Sequence, residues 1–365
     1  MAETPTLIHL ISSNRWGGAQ QYALDICDHY NSLGWKVAAV TRDAKVVDDR
    51  FRDRDITLLH APLRGFYDPA SALLLARRLR EIPRNRGYVH VHRYRDAFTV
   101  LLAKRLARRP DIRVISTRHN VRRGRNSTLF RRIYNKINAH IFVSETAFEH
   151  FRRTWPDDGL PMRRESVHIL HNSVNIPHKL PSVEPDRGPV FALYLGPVVK
   201  GKGIETIIDA LAQLKGLKLR LRIAGPGNPD DLDRLRRRAM RLGVMEMIDW
   251  KTGSDVSDEI IEMSHFAVLP SVEREGFGLP NIRVMAAGRP QICTSGGAQS
   301  EYLADGHTAL FVPPAEAPAL ADAMRRLATD PALRAELGTN AFQYYSAGLS
   351  WQSFIPKLTE IYLNS

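Results

Sequence analysis

The feature that most constrains what this chain can fold into occurs twice. A short apolar run leads into a glycine-containing turn, and a helical period follows. Near the start, TLIHLISS (residues 6–13) reads as a buried strand and NRWGGAQ as the turn. Ala19, Tyr22, Ala23, Ile26 and Tyr30 then recur at the spacing of one helix face. Gly34 stands where a helix C-terminus is capped, and KVAAVT reads as the next strand. Strand, glycine turn, helix and strand make a βαβ unit, which builds a parallel sheet.

The alternation continues through YVHVH, DAFTVLLAKRLARR, RVIST, NAHIFVS and SVHILHN. Residues 173–189, SVNIPHKLPSVEPDRGP, are proline-rich and aperiodic and mark a linker. The pattern restarts with VFALYLG, GIETIIDALAQLK, LRLRIAG, DDLDRLRRRAMRLG, FAVLPS, NIRVMAAG and PQICTS. It closes on APALADAMRRLATD, PALRAELGTNAFQYY and SWQSFIPKLTEIYL. The expected fold class is α/β, with two Rossmann-like domains facing across a cleft and ligands at the carboxyl ends of the strands. A length of 365 residues suits two domains. They are expected at 1–178 and 179–349, with 350–365 as a separate final helix.

No apolar run is long enough to cross a bilayer, and MAETPTLIHLISSNRW lacks the pattern of a signal peptide. Cys27 and Cys293 lie far apart, which points to reduced thiols and a cytoplasmic setting, with no Cys-based metal site. Without a secretion signal, Asn126-Ser127-Thr128 reads as a chance sequon. The net charge of +13 is one-sided: residues 1–178 carry 31 Lys+Arg against 17 Asp+Glu. Such a field attracts a polyanion, whether nucleic acid, anionic lipid or phosphorylated glycan.

In LGPVVKGKGIETI a strand ends at Gly196 and a helix begins near Gly203, with Lys200 and Lys202 between them. Exposed N–H groups at a helix start beside lysines hold phosphate. Gly196 to Lys202 satisfies G-x-x-x-x-G-K, but Gly203 stands where a Walker loop needs Ser or Thr for magnesium. The second turn is EREGFGLPNIRVMAAG, residues 273–288. Gly276 and Gly278 let the backbone approach a ligand closely, and Pro280 suits the first helical position. Glu275 adds a carboxylate for sugar hydroxyls. A phosphate turn and a polyol turn together describe a nucleotide sugar.

On these residues the second half resembles the donor domain of retaining, GT-B-fold, family 4 glycosyltransferases. The resemblance runs through LYLGPVVKGKGIETIIDAL, LRIAGPGN, VLPSVEREGFGLP and MAAGRPQICTSGGAQSEYLADGHTALFVPP. The first half fits through NRWGGAQQYALDI, HVHRYRDA, VISTRHN, IFVSE and HNSVNIP. The resemblance implies a GT-B fold whose last helix returns to the first domain. It also implies transfer of a hexose from a nucleoside-diphosphate sugar with retention, needing no metal or other cofactor. A UDP-sugar is expected ahead of a GDP-sugar.

Carried over by position, Lys202 contacts the donor diphosphate, Glu275 bonds the donor sugar, and His119 sits near the sugar and leaving phosphate. Phe277, Gly278 and Leu279 help through their backbones. Gly17 and Gly18 bring N–H groups to the phosphates, and Gly196, Lys200 and Gly225 complete the donor side. Arg15 and Trp16 are expected to shape the acceptor pocket. His90 and His92 share a strand face, but two imidazoles alone make no metal site.

Two positions depart from the family pattern. Pro197 replaces an arginine, and Arg283 replaces a glutamate that bonds the nucleotide ribose. Arginine cannot accept those bonds. Either Arg283 takes over phosphate binding lost at Pro197, or it points into solvent. The segment RHNVRRGRNSTLFRRIYNKINAHIF sets Arg118, Arg122, Arg123, Arg125, Arg131, Arg132 and Lys136 around Leu129, Phe130 and Tyr134. That mixture suits an anionic membrane surface. The expected acceptor is therefore a lipid-linked or lipopolysaccharide-type glycan, met at the inner face of the cytoplasmic membrane. Two alternatives are a nucleotide-sugar-binding protein without activity and a nucleic-acid-binding protein using the basic half. No nucleic-acid-binding module accompanies the charge.

Overall fold

A computed structural model describes residues 4–155, 159–176, 188–253 and 258–365. The chain forms two compact units, one of residues 1–172 with 354–365 and the other of residues 173–353. The expected linker falls mostly on residues 177–187, outside the described residues.

The first unit holds seven parallel strands: β1 (Thr6–Ile11), β2 (Lys36–Thr41), β3 (Thr57–His60), β4 (Gly87–Val91), β5 (Arg113–Arg118), β6 (Ala139–Phe142) and β7 (Val167–Ile169). Their order is β3-β2-β1-β4-β5-β6-β7. The second unit repeats the scheme with β8 (Val190–Leu195), β9 (Leu219–Ala224), β10 (Ile248–Lys251), β11 (Phe266–Leu269), β12 (Gln291–Thr294) and β13 (Leu310–Val312). Its order is β10-β9-β8-β11-β12-β13, again parallel throughout. In each sheet the winding reverses beside the first strand, between β1 and β4 and between β8 and β11. An open α/β sheet binds ligands at the carboxyl ends flanking such a switch point.

The strands β1, β4 and β6 are buried along their whole length, as expected for a sheet covered on both faces. Three strands escape the sequence reading: β3, β10 and β13. All three are sheet edges with one neighbour, and TLLH and IDWK carry little apolar signal. Helices Lys45–Arg52, Pro69–Glu81, Thr128–Asn135 and Glu145–Arg152 were likewise not read from periodicity. Pro69–Glu81 nonetheless has a legible start, since Asp68 accepts from Ser71 N and Pro69 follows it.

The helix Gly18–Ser32 buries Tyr22, Ala23, Leu24, Ile26, Cys27 and Tyr30, and Gly34 takes φ 80° just beyond its end. The last helix, Trp351–Asn364, packs its final residues on the first unit. Tyr362 OH lies 2.6 Å from His90 Nδ1, and Thr359 Oγ1 lies 2.8 Å from Tyr30 OH. Arg113 donates to the carbonyl of Leu363 at 2.7 Å. Both cysteines are buried free thiols, Cys27 in the first unit and Cys293 in the second.

Candidate active site

In the second unit the site is built from loops at the carboxyl ends of β8, β9 and β11. Gly196 follows β8 at φ 142° and Gly225 follows β9 at φ 144°. A Cβ on Gly225 would stand 2.0 Å from the carbonyl oxygen of Gly196, so the two turns interlock only with glycine there. Gly203 obeys the same rule at φ 77°, where a Cβ would meet the carbonyl oxygen of Pro270 at 2.0 Å. The position where a Walker loop carries its hydroxyl thus has no room for a side chain. The helix Ile204–Ala212 begins directly after it.

The lysine turn docks onto the glutamate turn. Val272 N and Glu273 N donate to the carbonyl of Gly201 at 2.8 and 3.1 Å. This brings Lys202 Nζ within 2.5 Å of Glu275 Oε1, across 73 residues of sequence. Ser271 Oγ donates to the same carboxylate oxygen, and Ala298 N donates to the Glu275 carbonyl at 3.1 Å. Phe277 is buried and packs against Tyr302, whose hydroxyl donates to the Phe277 carbonyl. Its ring is therefore a core anchor that fixes the backbone of the turn. Gly278 caps the helix Leu279–Ala286 at φ 93°, and Pro280 occupies its second position, where no N–H is needed. Lys200 is exposed beside this arrangement.

Arg283 does not point freely into solvent. Its Nε and Nη2 donate to Asp258 Oδ1 at 2.8 and 2.5 Å, and the arginine is half-buried. Asp258 was not among the residues the sequence singled out. It lies five residues beyond Gly253, whose N–H donates to the Gly225 carbonyl at 3.3 Å.

In the first unit, His119 follows β5 and His92 follows β4, so adjacent strands deliver two imidazoles to one edge. His92 Nδ1 lies 3.1 Å from His119 Nε2, and His92 Nε2 lies 3.0 Å from His9 Nδ1 on β1. Burial pushes His9 and His119 down to about 3 and holds His92 well below the ordinary histidine range. All three are neutral at pH 7. The ring of Tyr22 meets His119 edge-on at 5.0 Å. His90 is spoken for, by Tyr362 OH at 2.6 Å and Thr117 Oγ1 at 2.7 Å.

Gly17 precedes the helix Gly18–Ser32 with φ −176°, a conformation open to any residue. A Cβ there would meet only Gln20 Oε1, at 3.4 Å. The fold does not demand this glycine, and the helix start beside it has no side-chain cap. Trp16 packs edge-on to Phe51 at 6.3 Å under the guanidinium of Arg50, whereas Arg15 is exposed. Among the described residues, Asp43, Asp48 and His60 are close enough together to hold a metal ion. Asp48 and His60 are already linked through Thr41, which donates to Asp48 at 2.6 Å and lies 3.2 Å from His60 Nδ1.

Two family sequence models match the chain, Glycosyltransferase Family 4 over residues 16–177 and Glycosyl transferases group 1 over residues 176–344. The chain belongs to this family of glycosyltransferases. Alpha-D-kanosaminyltransferase of Streptomyces kanamyceticus is 31% identical over 176 residues, covering 47% of this chain and 45% of that one. The chain spans about half the length of the curated relatives it matches. A crystal structure of Anabaena HepE in complex with UDP and glucose superposes with a TM-score of 0.81 over 98% of both chains, at 16% identity. A glycosyltransferase from Rickettsia africae gives 0.81 over 98% of both chains, at 20% identity. These likenesses are of fold, and the fold is GT-B.

Within the first unit the basic segment needs correction. Phe130 and Tyr134, expected to face a membrane, lie in the core, and Leu129 alone of the three apolar residues is exposed. The guanidinium of Arg118 lies over the rings of Phe151 and Tyr94 and donates to the Arg123 carbonyl, so it holds the loop in place. Arg122, Arg123, Arg125, Arg131, Arg132 and Lys136 remain exposed. The reading also missed His9 and Asp258. The sequence signal for His9 was its place on β1, the strand at the switch point.

Proposed function

We propose that this glycosyltransferase moves a hexose from a UDP-sugar to a lipid-linked or lipopolysaccharide-type glycan, with retention of anomeric configuration. The observation that carries the reading is the contact of Lys202 with Glu275, where a lysine-bearing phosphate turn docks on a glycine-flanked carboxylate turn. Lys202 neutralises the leaving diphosphate, and Glu275 accepts bonds from hydroxyls of the donor sugar. The neutral imidazole of His119 offers a hydrogen bond without adding charge. The leaving diphosphate takes the acceptor proton, and nearby cations stabilise the charge that develops on it. The HepE crystal structure with UDP and glucose supports UDP as the nucleotide. Arg283 is assigned to the donor side, in exchange between Asp258 and the diphosphate. The exposed cations from Arg122 to Lys136 support work at an anionic membrane surface.

The test pairs binding with turnover. UDP, GDP and ADP and their glucose, galactose and mannose derivatives are compared at matched concentration by thermal shift, since a ligand stabilises the fold by RT ln(1 + [L]/Kd). Radiolabelled sugar transfer and donor hydrolysis follow, with the anomeric configuration of the product read by NMR. UDP-selective stabilisation with turnover is expected. Binding without turnover points to a nucleotide-sugar-binding protein. Salt-dependent binding to nucleic acid with no nucleotide response points to the other alternative.

A further inference from the structure

The carboxyl edge of the first sheet carries a group of arginines that neither the glycine turns nor the histidines explain. The strands β2, β1, β4 and β5 are consecutive and parallel, so their carboxyl ends emerge side by side. Arg42 comes one residue after β2, Arg93 and Arg95 follow β4, and Arg122 lies four residues beyond β5. The carboxylate set among them is Asp96, which is buried and accepts from Ser12 Oγ at 2.6 Å. Arg95 Nε comes only to 3.5 Å from it, and is itself buried without a hydrogen-bond partner. Among the described residues, Arg42, Arg93 and Arg122 form no ion pair with a carboxylate.

These charges act on one another. Burial lowers Arg93 from its ordinary value first; Arg95 lowers it further, Asp96 opposes, and Arg42 and Arg122 add to the lowering. One buried carboxylate therefore faces three of these guanidinium groups, Arg95, Arg93 and Arg42, while Arg122 acts on Arg93, and an anion arriving there relieves their repulsion. Two helices also begin at this edge, Gly18–Ser32 and Tyr94–Ala107, neither with a side-chain cap. Uncapped N–H groups and the positive end of each helix favour the same kind of ligand. Arginine forks match phosphate oxygens in pairs.

We propose that Arg42, Arg93, Arg95 and Arg122 form a phosphate-binding site in the first unit that selects a phosphorylated acceptor. The inference rests on the transferase reading for the word acceptor, but the site itself stands on the residues. The chemistry is a phosphate ester on a polyol, presented either by a soluble polyol phosphate or by a phospholipid headgroup.

The experiment titrates the full chain with glycerol 3-phosphate and inositol 1-phosphate against glycerol and inositol, at matched ionic strength. Variants are Arg93→Ala, Arg122→Ala and their double, with Lys202→Ala as the donor-side control. Flotation on vesicles of phosphatidylcholine with or without phosphatidylinositol separates the two sources. Expected is selective binding of the phosphate esters, weakened at least tenfold in the double variant while UDP binding holds. Lys202→Ala should do the reverse. Selective vesicle binding alone assigns the phosphate to a lipid headgroup. Ester binding that survives the double substitution, or no preference for the esters over the polyols, overturns the site. Loss of any nucleotide response with ester binding kept overturns the transferase reading and leaves the phosphate site standing.

Discussion

His92 Nδ1 lies 3.1 Å from His119 Nε2, where β4 and β5 end side by side. His92 Nε2 in turn meets His9 Nδ1 at 3.0 Å, and His9 Nε2 is buried with no hydrogen-bond partner. Protons can run along this chain in two directions. One leaves a buried N–H on His9 unpaired; the other leaves a lone pair there. Orphaned buried N–H groups are the rarer of the two. The expected state has His9 protonated on Nδ1, His92 on Nδ1 and His119 on Nδ1, so His119 presents a donor outward. Long-range 15N–1H NMR correlations report each tautomer directly. A His119 protonated on Nε2 sinks this assignment.

The same burial sets an acid limit on stability. His9 and His119 are held down to about 3, and His90 and His92 well below their ordinary value. Below about pH 6.5 the unfolded chain takes up protons that the folded chain refuses. Stability is therefore complete above that pH and declines as pH falls toward 3. Each fully buried imidazole steepens the decline by up to about 1.4 kcal/mol per pH unit. Urea unfolding at pH 7.5, 6 and 5 should show the fall, and His9→Asn should flatten it. Equal stability at all three values contradicts the buried, neutral assignment.

Lys202→Ala and Glu275→Gln should each lower transfer by about 10²–10³-fold, the range for removing a group that meets developing or bound charge. Their ion pair is partly exposed, so its loss should change unfolding stability by no more than about 1 kcal/mol. Rates near the parent value for both variants remove the pair from the site.

The glycines divide by role. Gly203→Ala and Gly225→Ala force a Cβ onto a carbonyl oxygen in a left-handed backbone, and each should destabilise the second unit by more than about 1–3 kcal/mol. Gly17→Ala should stay within about 0.5 kcal/mol of the parent, because its backbone is extended and its Cβ has space. It should nevertheless weaken nucleotide binding; unchanged affinity removes the turn from the site. Denaturant titration and nucleotide titration of the three variants separate the two roles.

Arg283→Ala should weaken UDP binding about tenfold, and Asp258→Ala, which removes one carboxylate partner of the guanidinium, should preserve or tighten it. Isothermal titration decides. Unchanged UDP affinity in Arg283→Ala makes the pair with Asp258 a structural tie and ends the idea of a relocated phosphate contact.

The glycine turns were legible because their chemistry is local. Gly203 and Gly278 take left-handed backbone within a few residues of the strand and helix that they join, and Lys202 and Glu275 sit inside those turns. The edge strands β3 and β10 were not legible, because four residues paired on one side ask for little apolar character, and β13, though apolar, is only three residues long. The role of Phe277 was half-legible: the turn marked it, but burial against Tyr302 makes its ring an anchor.

The amino-acid order alone determined the α/β alternation, the parallel pairing of its strands and the two glycine turns that carry Lys202 and Glu275, because each is written in periodicity or in glycine spacing over a short stretch. Only tertiary structure decided the contacts across long separations. It joined Lys202 to Glu275 and Arg283 to Asp258, aligned His9, His92 and His119, and gathered Arg42, Arg93, Arg95 and Arg122 along one edge. The physical reason is strand order. Parallel strands paired as β2-β1-β4-β5 bring their carboxyl ends together in space, whereas each stretch of sequence shows only one end at a time.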